Sequence, residues 1–124
     1  MKIRTINDFD VKGKTVLLRV DMNVPIDPNT KQITGNKRIE DVSITIKALD
    51  GAKIVIISHQ GRVGRDDFVG MENHAKELEK FCGKKVRYVS DVIGTHTQNE
   101  IKNMNDNEII LLDILYSEIQ KNKN

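Results

Sequence analysis

Leu17-Leu18-Arg19-Val20-Asp21-Met22-Asn23-Val24-Pro25 and Ile57-Ser58-His59-Gln60-Gly61-Arg62 each begin in an apolar run and end in polar groups. Residues 15–20 are short, β-branched and nearly continuously apolar, which predicts a strand covered on both faces. Residues 52–58 predict a second buried strand on the same grounds. Ligands of open parallel α/β sheets sit at the carboxyl edge, so two such strand ends would bring Arg19, Asp21, Asn23, His59 and Arg62 to one place. That set suits a small anion.

Working outward, Ile39, Val42, Ile46 and Leu49 fall at steps of three and four, the pattern of a helix from residue 38 with one buried stripe. Residues 71–81 read as a second helix, with Ala75, Leu78 and Cys82 on one side and Gly83 as its stop. Residues 85–89 predict a third strand, 99–104 a short helix and 108–112 a fourth strand. Between the first strand and first helix, residues 21–37 hold both prolines, Gly35 and the turn-forming Asp27-Pro28-Asn29-Thr30, an ordered loop with a small hairpin. Strands alternating with helices imply right-handed βαβ units. The expected fold is α/β: a Rossmann-like three-layer open parallel sheet of about four strands. Such sheets usually have about five or six, so the expectation is a single, partial domain over residues 1–124. Its fourth strand would leave an open edge suited to self-association. The polar residues 116–124 read as a frayed end.

The 124 residues carry 31% charged side chains that balance to +2, with two tyrosines and three phenylalanines. No basic-aromatic stripe appears, so nucleic acid is not expected as a partner. Cys82 is the only cysteine, which excludes an intrachain disulfide and a cysteine metal site. His74 and His96 have no second histidine or carboxylate at ligand spacing; Glu72 and Asp91 read as solvent-facing, and no metal is expected. The first ten residues lack a signal-peptide apolar stretch, and the longest apolar runs are too short for a bilayer. A soluble, cytoplasmic protein with no membrane partner is the expectation.

A dinucleotide fingerprint would place Gly-x-Gly-x-x-Gly after the first strand, where this chain has Arg19-Val20-Asp21-Met22-Asn23. A phosphate loop is also missing, because Gly13-Lys14-Thr15 precedes a strand and lacks the upstream glycine. No nucleotide cofactor is expected to bind by either route. Arg19, Asp21 and Asn23 alternate, so on a strand end they share one direction. They read equally well as a structural polar network. His59 and Arg62 flank Gly61, whose missing side chain lets backbone approach a ligand; arginine grips phosphate bidentately, and histidine beside an anion is favoured as imidazolium. Arg65 reads as a solvated surface charge. Arg38 opens a helix, where backbone amides favour anions, although alone it reads as an ordinary surface arginine.

Leu17 to Pro25, Arg38-Ile39-Glu40-Asp41-Val42-Ser43-Ile44-Thr45-Ile46, Gly51 to Arg62 and Glu108-Ile109-Ile110-Leu111-Leu112 occur in the order found in the N-terminal domain of phosphoglycerate kinase. The chain resembles that family over nearly its whole length, and His59-Gln60 with Ile26-Asp27-Pro28 resembles archaeal members. The resemblance implies glycolytic phosphoryl transfer between ATP and 3-phosphoglycerate, giving 1,3-bisphosphoglycerate. It makes the segment Asp21, Asn23, Arg38, His59, Gln60, Gly61 and Arg62 the acid-substrate side. Asp21 and Asn23 would contact the hydroxyl and carboxylate end, His59 would orient it, Arg62 would hold the 3-phosphate, and Arg38 would act catalytically on the phosphoryl group in flight. Mg-ATP would belong to a separate nucleotide-binding domain, a partner that this chain lacks. Where the family has Glu-Asn-Val-Arg-Phe after the fourth strand, this chain reads Asp113-Ile114-Leu115-Tyr116, without the phosphate-binding arginine. Each missing charge-assisted bond forfeits about 1.5–3 kcal/mol, so weak acid binding and no kinase activity are expected of the chain alone. A non-catalytic small-anion-binding or interaction module is the alternative.

Overall fold

The computed structural model describes residues 10–90 and 94–113. Four strands and three helices alternate along them: β1 (Thr15–Arg19), α1 (Lys37–Ala48), β2 (Lys53–Ile57), α2 (Glu72–Cys82), β3 (Val86–Val89), α3 (Thr95–Lys102) and β4 (Ile109–Leu112). All pairings are parallel, in the order β1-β2-β4-β3. The three-layer α/β expectation holds.

The chain moves one way across the sheet from β1 to β3 and turns back for β4. With crossovers of one hand, that reversal sends the last helix to the opposite face. The packing agrees: Ile39, Val42 and Ile46 of α1 and Ala75 and Leu78 of α2 join Ile54, Ile56, Ile109 and Leu111 in one core. Ile101 of α3 and Met104 instead pack on Val55, Val89, Ile110 and Leu112.

Two sequence expectations about strands are corrected. The fourth strand is no edge: β4 lies between β2 and β3, and all four of its residues are buried. Its Ile-Ile-Leu-Leu sequence has no polar position to turn toward water, which suits the centre of a parallel sheet. Among the described residues the edges are β1 and β3. Nor is β1 covered on both faces, since Val16 and Leu18 pack on the core while Leu17 is 66% exposed. The helix expected over 99–104 starts earlier, at Thr95, because its first turn is polar and gives no apolar period before Ile101. Residues 116–124 lie outside the described residues.

Gly83 ends α2 as expected, in the left-handed conformation with φ 68° and its N–H on Glu79 O at 2.9 Å. In the long loop, the expected hairpin forms between Ile26 and Ile33. Asp27 shapes its tip, accepting the N–H groups of Asn29 and Thr30 at 2.8 and 2.9 Å, while buried Met22 and Val24 anchor the loop in the core.

Candidate active site at the carboxyl ends of β1 and β2

Past Arg19, the β1–β2 ladder continues through side chains. Val20 N–H still reaches Ile57 O at 3.2 Å, and Met22 N–H then donates to Ser58 Oγ at 3.3 Å. The Gln60 carboxamide accepts from Val24 N–H at 2.9 Å and donates to Val24 O at 3.0 Å, pairing with that peptide as a strand neighbour would. Gly61 N–H closes the series on Asn23 Oδ1 at 2.7 Å. Two irregular segments are thereby held side by side through side-chain bonds to backbone groups.

Gly61 has φ 72°, and a Cβ there would lie 2.5 Å from Asp67 O. Only glycine fits, because both the backbone conformation and the neighbouring carbonyl exclude a side chain. From that point the chain folds back through two successive turns, Arg65 N–H on Arg62 O and Phe68 N–H on Arg65 O. Lys31 of the hairpin donates to Asp66 O at 2.8 Å, tethering this loop to the other.

Between the two loops lies a cleft of about 600 Å³ lined by Asn23, Arg38, His59, Gly61, Arg62, Arg65 and Asp67. Five of the residues read from the sequence thus meet on one surface. Asp21 borders an adjoining hollow with Arg38. Its carboxylate accepts Asn23 N–H and Nδ2 at 2.9 and 3.0 Å and Arg38 Nη1 at 2.6 Å. The Asn23 backbone N–H, with help from its side chain and from the Arg38 charge, holds the Asp21 carboxyl below the usual aspartate range. Asn23 is oriented at both ends: its oxygen takes Gly61 N–H and its nitrogen gives one hydrogen to Asp21, which leaves the second hydrogen unused among the described residues.

Two residues are placed differently from expectation. Gln60 is 1% exposed and all its bonds run inward, so its side chain braces the cleft without lining it. Arg19 is exposed on β1 but does not line the cleft, because the strand ends there and its alternation does not carry on to Asp21 and Asn23. Conversely, Arg65, read as solvated surface, lines the cleft. Among the described residues, neither Arg62 nor Arg65 forms an ion pair.

Sequence reasoning missed His74. It is fully buried in α2, and its Nε2 lies 2.8 Å from Gln60 Oε1. That oxygen can only accept, so Nε2 carries the proton and Nδ1 is left a bare, buried acceptor without a partner. Burial lowers the His74 pKa from 6.5 to about 4. The signal was present: His74 stands three residues after Met71 and four before Leu78, on the buried stripe of its helix.

No group of three or more His, Cys, Asp or Glu among the described residues could hold a metal ion. Likewise, no described helix is long and apolar enough to cross a membrane.

Residues 6–124 match the family model for phosphoglycerate kinase. The chain belongs to the phosphoglycerate kinase family. It is 45% identical over 109 residues to phosphoglycerate kinase 2 of Methanosarcina acetivorans, covering 88% of this chain and 26% of that protein. Against the phosphoglycerate kinase of Sulfolobus acidocaldarius it is 43% identical over 113 residues, 90% of this chain and 27% of the relative. The crystal structure of phosphoglycerate kinase from Pyrococcus horikoshii OT3 superposes with a TM-score of 0.77 at 33% identity, covering 94% of this chain and 29% of that one. The archaeal resemblance agrees with these phosphoglycerate kinases. The chain spans little more than a quarter of their length. Of the segment that departs from the family after β4, Asp113 is fully buried and accepts from Tyr88 Oη at 3.2 Å. Ile114 to Tyr116 lie outside the described residues.

Proposed function

We propose that this chain forms the acid-substrate side of the phosphoglycerate kinase reaction, binding 3-phosphoglycerate or its acyl phosphate product in the cleft between the two loops. The observation that carries this reading is the convergence of Arg38, Arg62, Arg65 and His59 on one open surface. Arg62, helped by Arg65, grips the 3-phosphate; His59 and the spare Asn23 hydrogen orient the hydroxyl and carboxylate end. A carboxylate oxygen of the acid attacks the γ-phosphorus of ATP, the bond to the bridging oxygen of ADP breaks, and the acyl phosphate forms.

Arg38 stabilises the charge on the group in transfer. Its ion pair with Asp21 is more than half exposed on both sides, and such pairs are worth about 0–1 kcal/mol. Arg38 therefore exchanges Asp21 for a phosphoryl oxygen at little cost. Catalysis of this kind rests on positioning and charge stabilisation, which these side chains supply. The chain carries neither glycine-rich phosphate motif, so we assign Mg-ATP to a nucleotide-binding part of the enzyme and expect the 124-residue chain to bind the acid in the cytoplasm without turning over ATP.

Isothermal titration with 3-phosphoglycerate tests the reading. Binding that weakens at least tenfold in Arg62→Ala and in Arg38→Ala supports it; absent heat, or equal affinity in all three proteins, overturns it. A coupled ATP assay separates the parts, because turnover by the bare chain would overturn the assignment of ATP elsewhere.

A further inference from the structure

The substrate cleft is built from two loops that share no regular ladder, and its shape rests on what holds them together. Below its floor, Gln60 Oε1 is the acceptor for both Val24 N–H and His74 Nε2, at 2.9 and 2.8 Å. One oxygen therefore ties the β1 loop, the β2 loop and helix α2 together. One residue along from each side of this joint stand Asn23 and Gly61, themselves bonded at 2.7 Å, and next to Gly61 stands Arg62.

We propose that His74 and Gln60 form a buried clasp that sets the spacing of the Asn23 and Arg62 sides of the cleft, making His74 a positioning residue for the anionic substrate. The consequence for affinity rests on the function proposed above; the clasp itself does not. The Val24 peptide fixes the Gln60 amide, with its oxygen on Val24 N–H and its nitrogen on Val24 O, and the His74 Nε2 hydrogen adds a third bond that anchors this pair to α2. Without that donor the Gln60 oxygen loses its tie to α2, and the joined loops are held there by the two Val24 bonds alone. The joint then loosens at a buried point where water cannot easily replace the lost bond.

The bare Nδ1 is explained by the same geometry. The single proton of a neutral imidazole is needed at Nε2, so Nδ1 is left without one, and a second proton there would meet no acceptor. Glutamine at position 74 places its Nε2 the same number of bonds from the backbone as histidine does, so His74→Gln keeps the donor, whereas His74→Leu removes it.

The test begins without ligand on the 124-residue chain. Long-range nitrogen–proton NMR of His74 should show the Nε2–H tautomer; the Nδ1–H tautomer would overturn the clasp, whatever the fate of any variant. In His74→Leu, hydrogen exchange of the Val24 and Gly61 amides should accelerate at least tenfold while Val55 and Ile110 in the central strands stay within threefold. His74→Gln should restore slow exchange. Equal exchange at Val24 in wild type and His74→Leu, or uniform acceleration across the whole sheet in both variants, would overturn the proposal. Titration with 3-phosphoglycerate then reads the consequence: about tenfold weaker binding in His74→Leu, recovered in His74→Gln. Absent binding by the wild-type chain would defeat the proposed function and leave the clasp judged by exchange and tautomer.

Discussion

Two clefts of nearly equal size sit beside the carboxyl ends of the strands, about 600 Å³ at β1 and β2 and about 580 Å³ between β3 and α3. Both contain arginine and histidine, and they differ in what the charges do. In the second, Arg87 is held by Glu100 at 2.6 Å, both about two-thirds buried, and the neighbouring Tyr88 hydroxyl donates to Asp113. In the first, Arg62 and Arg65 make no ion pair among the described residues, Arg38 is in an exposed one, and beside the Lys31 tether to Asp66 O the loops are fixed mainly by neutral groups: Ser58, Gln60, Asn23 and His74. A cleft framed mainly by neutral groups leaves cations such as Arg62 and Arg65 unpaired among the described residues; one whose cations form the frame does not.

Gly61→Ala should disturb the first cleft most. The left-handed backbone and the Asp67 carbonyl together should cost roughly 3–4 kcal/mol in urea unfolding. Gly83→Ala, at a similar φ with open space around it, should cost about 1 kcal/mol. Equal effects would mean that the arginine loop does not need its close approach.

Acid should act through the frame. His74 is neutral in the fold, with a pKa lowered to about 4 against 6.5 when unfolded. The unfolded chain therefore takes up the proton first, and stability that is full above pH 6.5 falls as the pH drops toward 4. The total is about 3 kcal/mol. Denaturation midpoints across that range in wild type and His74→Gln check it, since the glutamine variant should lose most of the slope.

Arg62→Ala should weaken 3-phosphoglycerate binding about 10- to 100-fold, as expected from charge-assisted bonds of about 1.5–3 kcal/mol. Arg87→Ala should leave it within twofold by the same titration. Glu100→Gln, which keeps a neutral acceptor for Arg87, should lower stability by about 1 kcal/mol in urea denaturation with no change in affinity; a gain in phosphate binding there would show that ion pairing alone silences the second cleft.

Much of this was legible in the chain itself. The apolar runs of β1, β2 and β4 and the three-four spacing of α1 were plain because burial demands those periods, and motif order pointed to the family. The start of α3 was not, since a polar first turn carries no period. Nor was the place of β4: a uniformly apolar strand says that it is covered, not which strands cover it.

The α/β alternation, the family and the cationic character of the two strand-end segments follow from local pattern and residue type. Which side chains line the cleft and which hold its frame depends instead on long-range packing. Gln60 lies next to His59 in sequence, yet its side chain turns inward to Val24 and His74 while His59 faces the cleft. Arg65 joins Arg62 because two turns fold the loop back on itself. Direction at the end of a strand is set by partners 14 and 36 residues away, and no local period encodes them.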